Sequence, residues 1–197
     1  TTRLIVLESP NSMTYEQQDL AAVSALARTR GIRTVCDNSY ATPLNQSPLA
    51  HGVDLVVHSA TKYLNGHSDV VAGMLCGSEK ILREVFMGPY MTFGSILSPN
   101  DAWLLIRGMR TLAVRMERIA ATTTKVLAFA EAHPKIRQVY HPQASSNTQL
   151  GLTVRQLAGS SGMLTIELEA GDVAAVERFC DALQRFLMTV SWGGYES

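Results

Sequence analysis

The sequence predicts an α/β domain with a mostly parallel sheet. Short apolar runs alternate with stretches of helical period, and polar residues with chemical potential fall where the apolar runs end. "RLIVLES" (3–9) is a continuous apolar run, the pattern of a strand buried on both faces. "TYEQQDLAAVSALARTRG" (14–31) follows with Leu20, Val23 and Ala27 at helical spacing and Gly31 as the C-terminal stop. "IRTVCD" (32–37) is a strand closed by an acid, "DLVVHS" (54–59) is another, and "DVVAGMLCG" (69–77) is a further run of strand type. Strand, helix, strand, connection, strand is the order of a right-handed α/β unit, in which ligands sit beyond the carboxyl ends of the strands. Asp37 and the Ser59–Lys62 segment both occupy such ends, so the two are expected to meet.

The texture changes after residue 78. "PYMTFGSILSP" (89–99) reads as loop, and "PNDAWLLIRGM" (99–109) starts a helix with Asn100 or Asp101 near its N-terminus. Residues 110–133 form a long amphipathic helix, with Leu112, Met116, Ile119, Val126 and Ala130 on or near one stripe and Thr123 filling the gap; His133-Pro134 ends it. "SSNTQLG" (145–151) is a polar loop, "GMLTIELEA" (162–170) alternates like a half-buried strand, "DVAAVERFCDALQRF" (172–186) is an amphipathic helix and "LMTVSW" (187–192) is another strand. This run marks the start of a smaller α+β domain, with the boundary near residue 105: 1–105 on one side, 106–197 on the other.

Bulk properties exclude several classes. The 197 residues, 46% hydrophobic and 17% charged, have globular composition and room for one good core. Lys+Arg and Asp+Glu both number 17, so no basic field draws in nucleic acid. No apolar run reaches the roughly 18 residues of a membrane span, and no signal-peptide pattern opens the chain. Three widely spaced cysteines indicate neither a disulfide framework nor a metal site and suit a reducing, cytoplasmic setting. A strand-like run at Leu4–Leu7 and an abrupt stop after "SWGGYES" give the sequence the look of a piece cut from a longer chain on both sides.

"VVHSATKYLNGHSD" (56–69) carries the chemistry. Ser59 and Thr61 form an S-x-T pair at a strand end, where two hydroxyls and nearby backbone N–H groups suit a phosphate. Lys62 follows directly, within reach of whatever that phosphate anchors, and Gly66 allows a tight turn back toward Asp69. A lysine amine attacks a carbonyl only when unprotonated, against an ordinary pKa of about 10.4, and a Schiff base removes that obstacle. Lysine for an aldehyde, Asp37 for a ring nitrogen and Ser/Thr for a phosphate together match pyridoxal phosphate (PLP). Taken singly, each has a plain structural reading: Lys62 as a snorkelling surface residue, Asp37 as a turn residue, the hydroxyls as turn braces. His58 reads as a satisfied core histidine, His67 as a loop brace, and Arg107, Arg110, Arg115 and Arg118 as surface residues making ion pairs or subunit contacts.

The whole stretch "VCDNSYATPLNQSPLAHGVDLVVHSATKYLNGHSDVVAG" (35–73) resembles the cofactor signature of the Cys/Met-metabolism (trans-sulfuration) family of PLP-dependent enzymes. "LESPNS" (7–12), "LSPNDAWLLIRGMRTLAVRME" (97–117) and "SWGGYES" (191–197) resemble further blocks of that family in the right order. The resemblance implies a type I PLP-dependent transferase fold, with 1–105 as the C-terminal part of the large domain and 106–197 as the linking helix and first part of the small one. It implies a homotetramer, a dimer of dimers with shared active sites, acting on a small sulfur amino acid. Lys62 matches the Schiff-base lysine, Asp37 the pyridine-nitrogen partner, and Ser59 and Thr61 the phosphate hydroxyls. Ser12 matches a position near the cofactor's ring hydroxyl, Ser191 one near the substrate carboxylate, and Trp192 a neighbour of that site. Serine at 12 and tryptophan at 192 resemble the β-lyase branch, which implies β-elimination of cystathionine; the γ-lyases and γ-synthases are the alternatives. The ring-stacking tyrosine, the glycine-rich phosphate turn and the substrate-clamping arginine of the family have no counterpart in these 197 residues. The resemblance thus assigns the activity to the parent protein, and these 197 residues alone are expected to bind the cofactor poorly and to be inactive; a piece that keeps only an oligomerisation surface is the alternative of another class.

Overall fold

The computed structural model describes residues 1–195, so the last two residues of the "SWGGYES" block lie outside the described residues. β1 (Leu4–Glu8) leads through a loop into α1 (Leu20–Thr29), and β2 (Arg33–Asp37) into the short α2 (Thr42–Asn45) and a 3-10 turn at Pro48–His51. β3 (Leu55–Ser59) and β4 (Gly73–Gly77) complete a four-stranded sheet in the order β1-β2-β3-β4, parallel except for the antiparallel β3/β4 pair. Asp19 caps α1 by accepting from the Ala22 N–H, and the chain leaves that helix through Gly31 at φ 63°. Leu7, Leu20, Cys36 and Val53 form the core between α1 and the sheet. β1 is not buried on both faces as its sequence predicts: Leu4 and Val6 are 50% and 71% exposed, because no layer covers that face of this edge strand within the described residues.

α3 (Glu79–Val85) runs on through a π-turn (Phe86–Tyr90) and α4 (Met91–Phe93), so the first part of the expected 89–99 loop is helical. α5 (Pro99–Met109) is capped by Ser98, whose hydroxyl accepts from the Asp101 N–H. Asn100 and Asp101 thus lie inside its first turn. The long helix α6 (Leu112–Ala132) buries Leu112, Met116, Thr123, Leu127 and Ala130. The buried stripe passes through Leu127, leaving Val126 43% exposed. β5 (Ile136–Tyr140) and β6 (Thr165–Leu168) pair antiparallel against the end of α6, with α7 (Leu150–Gln156) between them in sequence and α8 (Val173–Asp181) after them. The predicted strand at 187–192 does not form. Leu187, Met188 and Val190 are exposed and find no strand edge to pair with among the described residues. No helix among the described residues is long and apolar enough to cross a membrane.

α7 ties the second half of the chain to the first. The Gln156 side chain accepts from the Leu20 N–H (2.8 Å), an orphan of the α1 N-terminus, and donates to the Gln18 carbonyl (3.0 Å). Gln149 and Gln17 exchange two further bonds, at 2.8 and 2.9 Å. These contacts fix the loop between β1 and α1 that reaches the candidate site.

Candidate active site

Parallel pairing places the carboxyl ends of β1, β2 and β3 side by side: Glu8 pairs with Asp37 and Asp37 with Val57. A cavity of about 340 Å³ opens there, a size suited to a small molecule. Asp37, Ser59, Ser12 and Trp192 all line it, so residues picked from sequence at both ends of the chain share one space. Asp37 Oδ1 accepts from the Ser39 N–H (2.8 Å), and the Ser39 hydroxyl in turn accepts from the Ser59 N–H (2.6 Å). The acid and the phosphate candidate are thereby locked in register. Ser12 donates its hydroxyl proton to Glu8 Oε1 (2.7 Å). Met13 and Tyr15, on the same loop, hold φ values of 71° and 55°, a costly region for residues with a Cβ, which persists where surroundings enforce it.

Lys62 rides on a turn after β3 rather than on the strand itself. Its Nζ donates to Ser191 Oγ (2.9 Å) and lies 5.2 Å from the centre of the Trp192 ring. Trp192 packs edge-on against Tyr63, with ring centroids 5.2 Å apart, and Tyr63 Oη accepts from the Gly162 N–H (2.9 Å). Gly193, at φ 88°, lies directly on the Lys62–Tyr63 backbone, where an added Cβ would stand 2.8 Å from the Tyr63 nitrogen. Burial pushes the Tyr63 phenol up to about 12, so it stays protonated and serves as a fixed hydroxyl.

Thr61 is placed differently from the others. Its hydroxyl accepts from the Ala72 N–H (3.0 Å) and donates to the Ala72 carbonyl (3.3 Å), bracing the turn against the segment entering β4. It offers a phosphate a proton only by releasing that longer bond. His67 braces the same turn, with Nδ1 2.7 Å from the Asn65 carbonyl. His58 is buried, but its Nδ1 has no hydrogen-bond partner among the described residues, which departs from the satisfied core histidine expected. Burial pushes its pKa down. Arg115 is not the surface residue of the sequence reading: it is half-buried and bonds to backbone carbonyls. Glu8, Ser39, Tyr15, Tyr40 and Met163 also line the cavity. Ser39 was readable as the residue two after Asp37, where a strand-end aspartate caps its own turn. Tyr15 and Met163 arrive only through tertiary folding. A larger apolar cavity, about 470 Å³, lies between α6, β5, β6 and α8 and contains none of the predicted site residues.

The Asp37 carboxylate and the Ser12 and Ser59 hydroxyls line this cavity, while Lys62, Thr61 and Ser191 do not; the Lys62 amine meets it through Trp192, whose ring lies 5.2 Å away and does line it. A carboxylate, a serine hydroxyl and a neighbouring primary amine fit the donor and acceptor set PLP requires. The profile of the Cys/Met metabolism PLP-dependent enzymes matches residues 1–197 in full. The chain belongs to this family. It is 41% identical over 197 residues to L-methionine gamma-lyase of Pseudomonas putida, covering 100% of this chain and 49% of that protein. It is 37% identical over 197 residues to cystathionine beta-lyase of Coxiella burnetii, covering 100% and 51%. The solved structure of cystathionine gamma synthase from Xanthomonas oryzae pv. oryzae superposes with a TM-score of 0.92 at 36% identity, covering 98% of this chain and 50% of that one. The chain thus spans about half the length of the relatives it matches. Within the family the expected fold class holds: a mostly parallel sheet with flanking helices belonging to the type I PLP-dependent fold, followed by a smaller α+β unit.

Proposed function

We propose that the chain is the lysine-bearing part of a cytoplasmic PLP-dependent carbon–sulfur lyase, and that its reaction is β-elimination of cystathionine to homocysteine, pyruvate and ammonia. The observation that carries this reading is the Lys62 amine, held by Ser191 and Trp192 beside the cavity walled by Asp37 and Ser59. When bound, PLP supplies the electron sink for the charge left at a substrate Cα. Lys62 Nζ would be the amine that holds the cofactor's aldehyde and, when free, the base placed to take the substrate's Cα proton. Asp37 would accept a hydrogen bond from the ring nitrogen and keep its proton in place. Ser59 would hold the phosphate, with Thr61 joining once it releases the Ala72 carbonyl, and Ser12 would face the ring hydroxyl. Ser191 orients the lysine and receives the substrate carboxylate, while Trp192 keeps water from the reacting carbon. Residues 1–105 serve as part of the cofactor domain and 106–197 as the linking helix and start of the smaller domain.

β-Elimination needs only the Cα proton removed, whereas γ-elimination and γ-replacement need a second at Cβ. Ser12 and Trp192 favour the β-reaction; identities of 41% to a γ-lyase and 37% to a β-lyase leave cystathionine or methionine γ-lyase and cystathionine γ-synthase as the alternatives. Supplying cystathionine to the longer parent protein and identifying the keto acid decides: pyruvate is expected, and 2-oxobutyrate would overturn the β-lyase reading. A second reading, a chain that keeps only an assembly surface of a homotetramer, is favoured by exposed apolar residues such as Phe93 and Trp103. Titration with PLP separates the two. A visible band that saturates supports the enzyme, and a folded protein that stays colourless supports the assembly surface.

A further inference from the structure

Arg115 makes an unusual set of bonds for an arginine on a helix. It forms no ion pair among the described residues. Its Nη1 donates to the Tyr63 carbonyl (2.8 Å), and its Nη2 to the carbonyls of Gly108 (3.1 Å) and Leu64 (3.4 Å). Its Nε donates to the Thr111 hydroxyl (3.0 Å). Tyr63 and Leu64 are the two residues that follow Lys62. Every carbonyl from Lys62 to Asn65 thereby has a partner: Lys62 takes the Gly66 N–H at 2.8 Å, Tyr63 and Leu64 take Arg115, and Asn65 takes the His67 ring. Nδ1 of His67 must carry the proton for this, since a carbonyl can only accept.

The packing is as specific as the bonding. A Cβ added to Gly66, which sits at φ 71°, would run into the Arg115 guanidinium. A Cβ added to Gly108 would run into the Asn65 carbonyl. The turn that carries Lys62 is therefore seated on the junction of α5 and α6, with the guanidinium fork filling the space beside Gly66 and the Asn65 backbone filling the space beside Gly108. A lysine at 115 would keep the charge but has no planar fork to span three carbonyls.

From this geometry we propose that Arg115 is a positioning residue for Lys62: its guanidinium holds the Tyr63 and Leu64 carbonyls and so sets where the Lys62 amine stands against Ser191 and Trp192. Arg115 touches neither the cavity nor the amine and acts through the turn. The inference rests on the reading of Lys62 as the reacting amine, and it adds a structural link between α6 and that amine.

The test uses the chain with Arg115→Lys, Arg115→Ala and, as control, the exposed Arg110→Ala. Two quantities are read: hydrogen exchange at the Asn65 and Gly66 amides, and the rate of acylation of Lys62 at one pH beside that of the exposed Lys80 and Lys125, resolved by mass spectrometry. In Arg115→Ala, exchange in the turn should speed up at least about tenfold, the effect of losing even one of the two charge-assisted hydrogen bonds to the Tyr63 and Leu64 carbonyls. The Lys62 labelling rate should move to that of Lys80 and Lys125, guanidinium ion added below denaturing concentrations should reverse both changes, and Arg115→Lys should fall between. If Arg115→Ala fails to fold, Arg115→Lys decides by the same readouts. A turn that loosens while Lys62 labels as before overturns the proposal, as does a change that guanidinium does not reverse. If Lys62 of the unaltered chain labels like Lys80 and Lys125 and takes up no PLP, it is the proposed function that fails. The clamp then stands or falls on the amide exchange and its reversal alone.

Discussion

Lys62 and Gly193 meet at the centre of the site, one supplying the amine and the other the close approach that seats Trp192 over it. Two outcomes follow for these residues. Lys62→Ala should abolish the visible band of added PLP while leaving thermal stability within about 0.5 kcal/mol, since the side chain is only half-buried and its bond to Ser191 is exposed; absorbance and calorimetry on one sample check both. Gly193→Ala should weaken PLP uptake with Lys62 intact, because the new methyl meets the Lys62–Tyr63 backbone and φ 88° disfavours any residue but glycine. A Gly193→Ala chain that titrates with PLP as the parent does would show that Trp192 needs no such seat.

At the scale of elements, α7 shows what tertiary partners can do for a short segment. Gln156 serves the first N–H of α1 and a carbonyl of the preceding loop from a distant part of the sequence. Gln156→Ala leaves those groups buried without partners, so it should lower stability by about 1–3 kcal/mol in urea unfolding, and PLP affinity should fall with it as the Ser12–Tyr15 loop loosens. The same element marks the limit of what sequence could show. The alternation from β1 to β3 and the lysine turn were legible because apolar period, glycine and strand-end chemistry are local signals. "LGLTVRQ" spans under two turns and stands as a helix only through Gln149, Thr153 and Gln156 bonding to the first loop. "IRQVY" is equally short, and nothing within it announces pairing with residues 165–168. Arg115 looked like a surface charge because its bonds are to carbonyls, which carry no sequence signature. The exposed face of β1 and the absent strand at 187–192 share one cause: apolar runs predict burial, but the covering layer or pairing edge has to be present in the chain.

For the whole molecule, buried histidines couple stability to pH, and exposed apolar groups suit the assembly surface proposed above. Burial pushes His58 and His141 down from the ordinary histidine value. The unfolded chain then binds more protons than the folded one around and below the ordinary histidine pKa of about 6.5. Stability is therefore present above that pH and is lost as pH falls toward the depressed values, by at most about 1.4 kcal/mol per pH unit for each histidine. Unfolding free energies on the two sides of that value should differ in that direction, and His141→Gln should remove part of the slope. Phe93, Ile96, Trp103 and Ile106 are 80%, 63%, 61% and 57% exposed around the start of α5. Exposed apolar residues so close in sequence suit that assembly surface. Trp103→Glu should therefore lower the mass seen by light scattering at a given concentration; an unchanged mass would place the contact elsewhere.

Ser191 reaches Lys62 across 129 residues of chain, and the segment that carries it has no regular structure of its own. A ribosome adds roughly 5–20 residues per second, so the sheet and the lysine turn emerge about 6–26 s before Ser191 and Trp192 arrive. Through that interval the amine is present without its cover. A nascent chain stalled between residues 77 and 191 would present Lys62 without the Ser191 hydroxyl and the Trp192 ring that flank it in the fold.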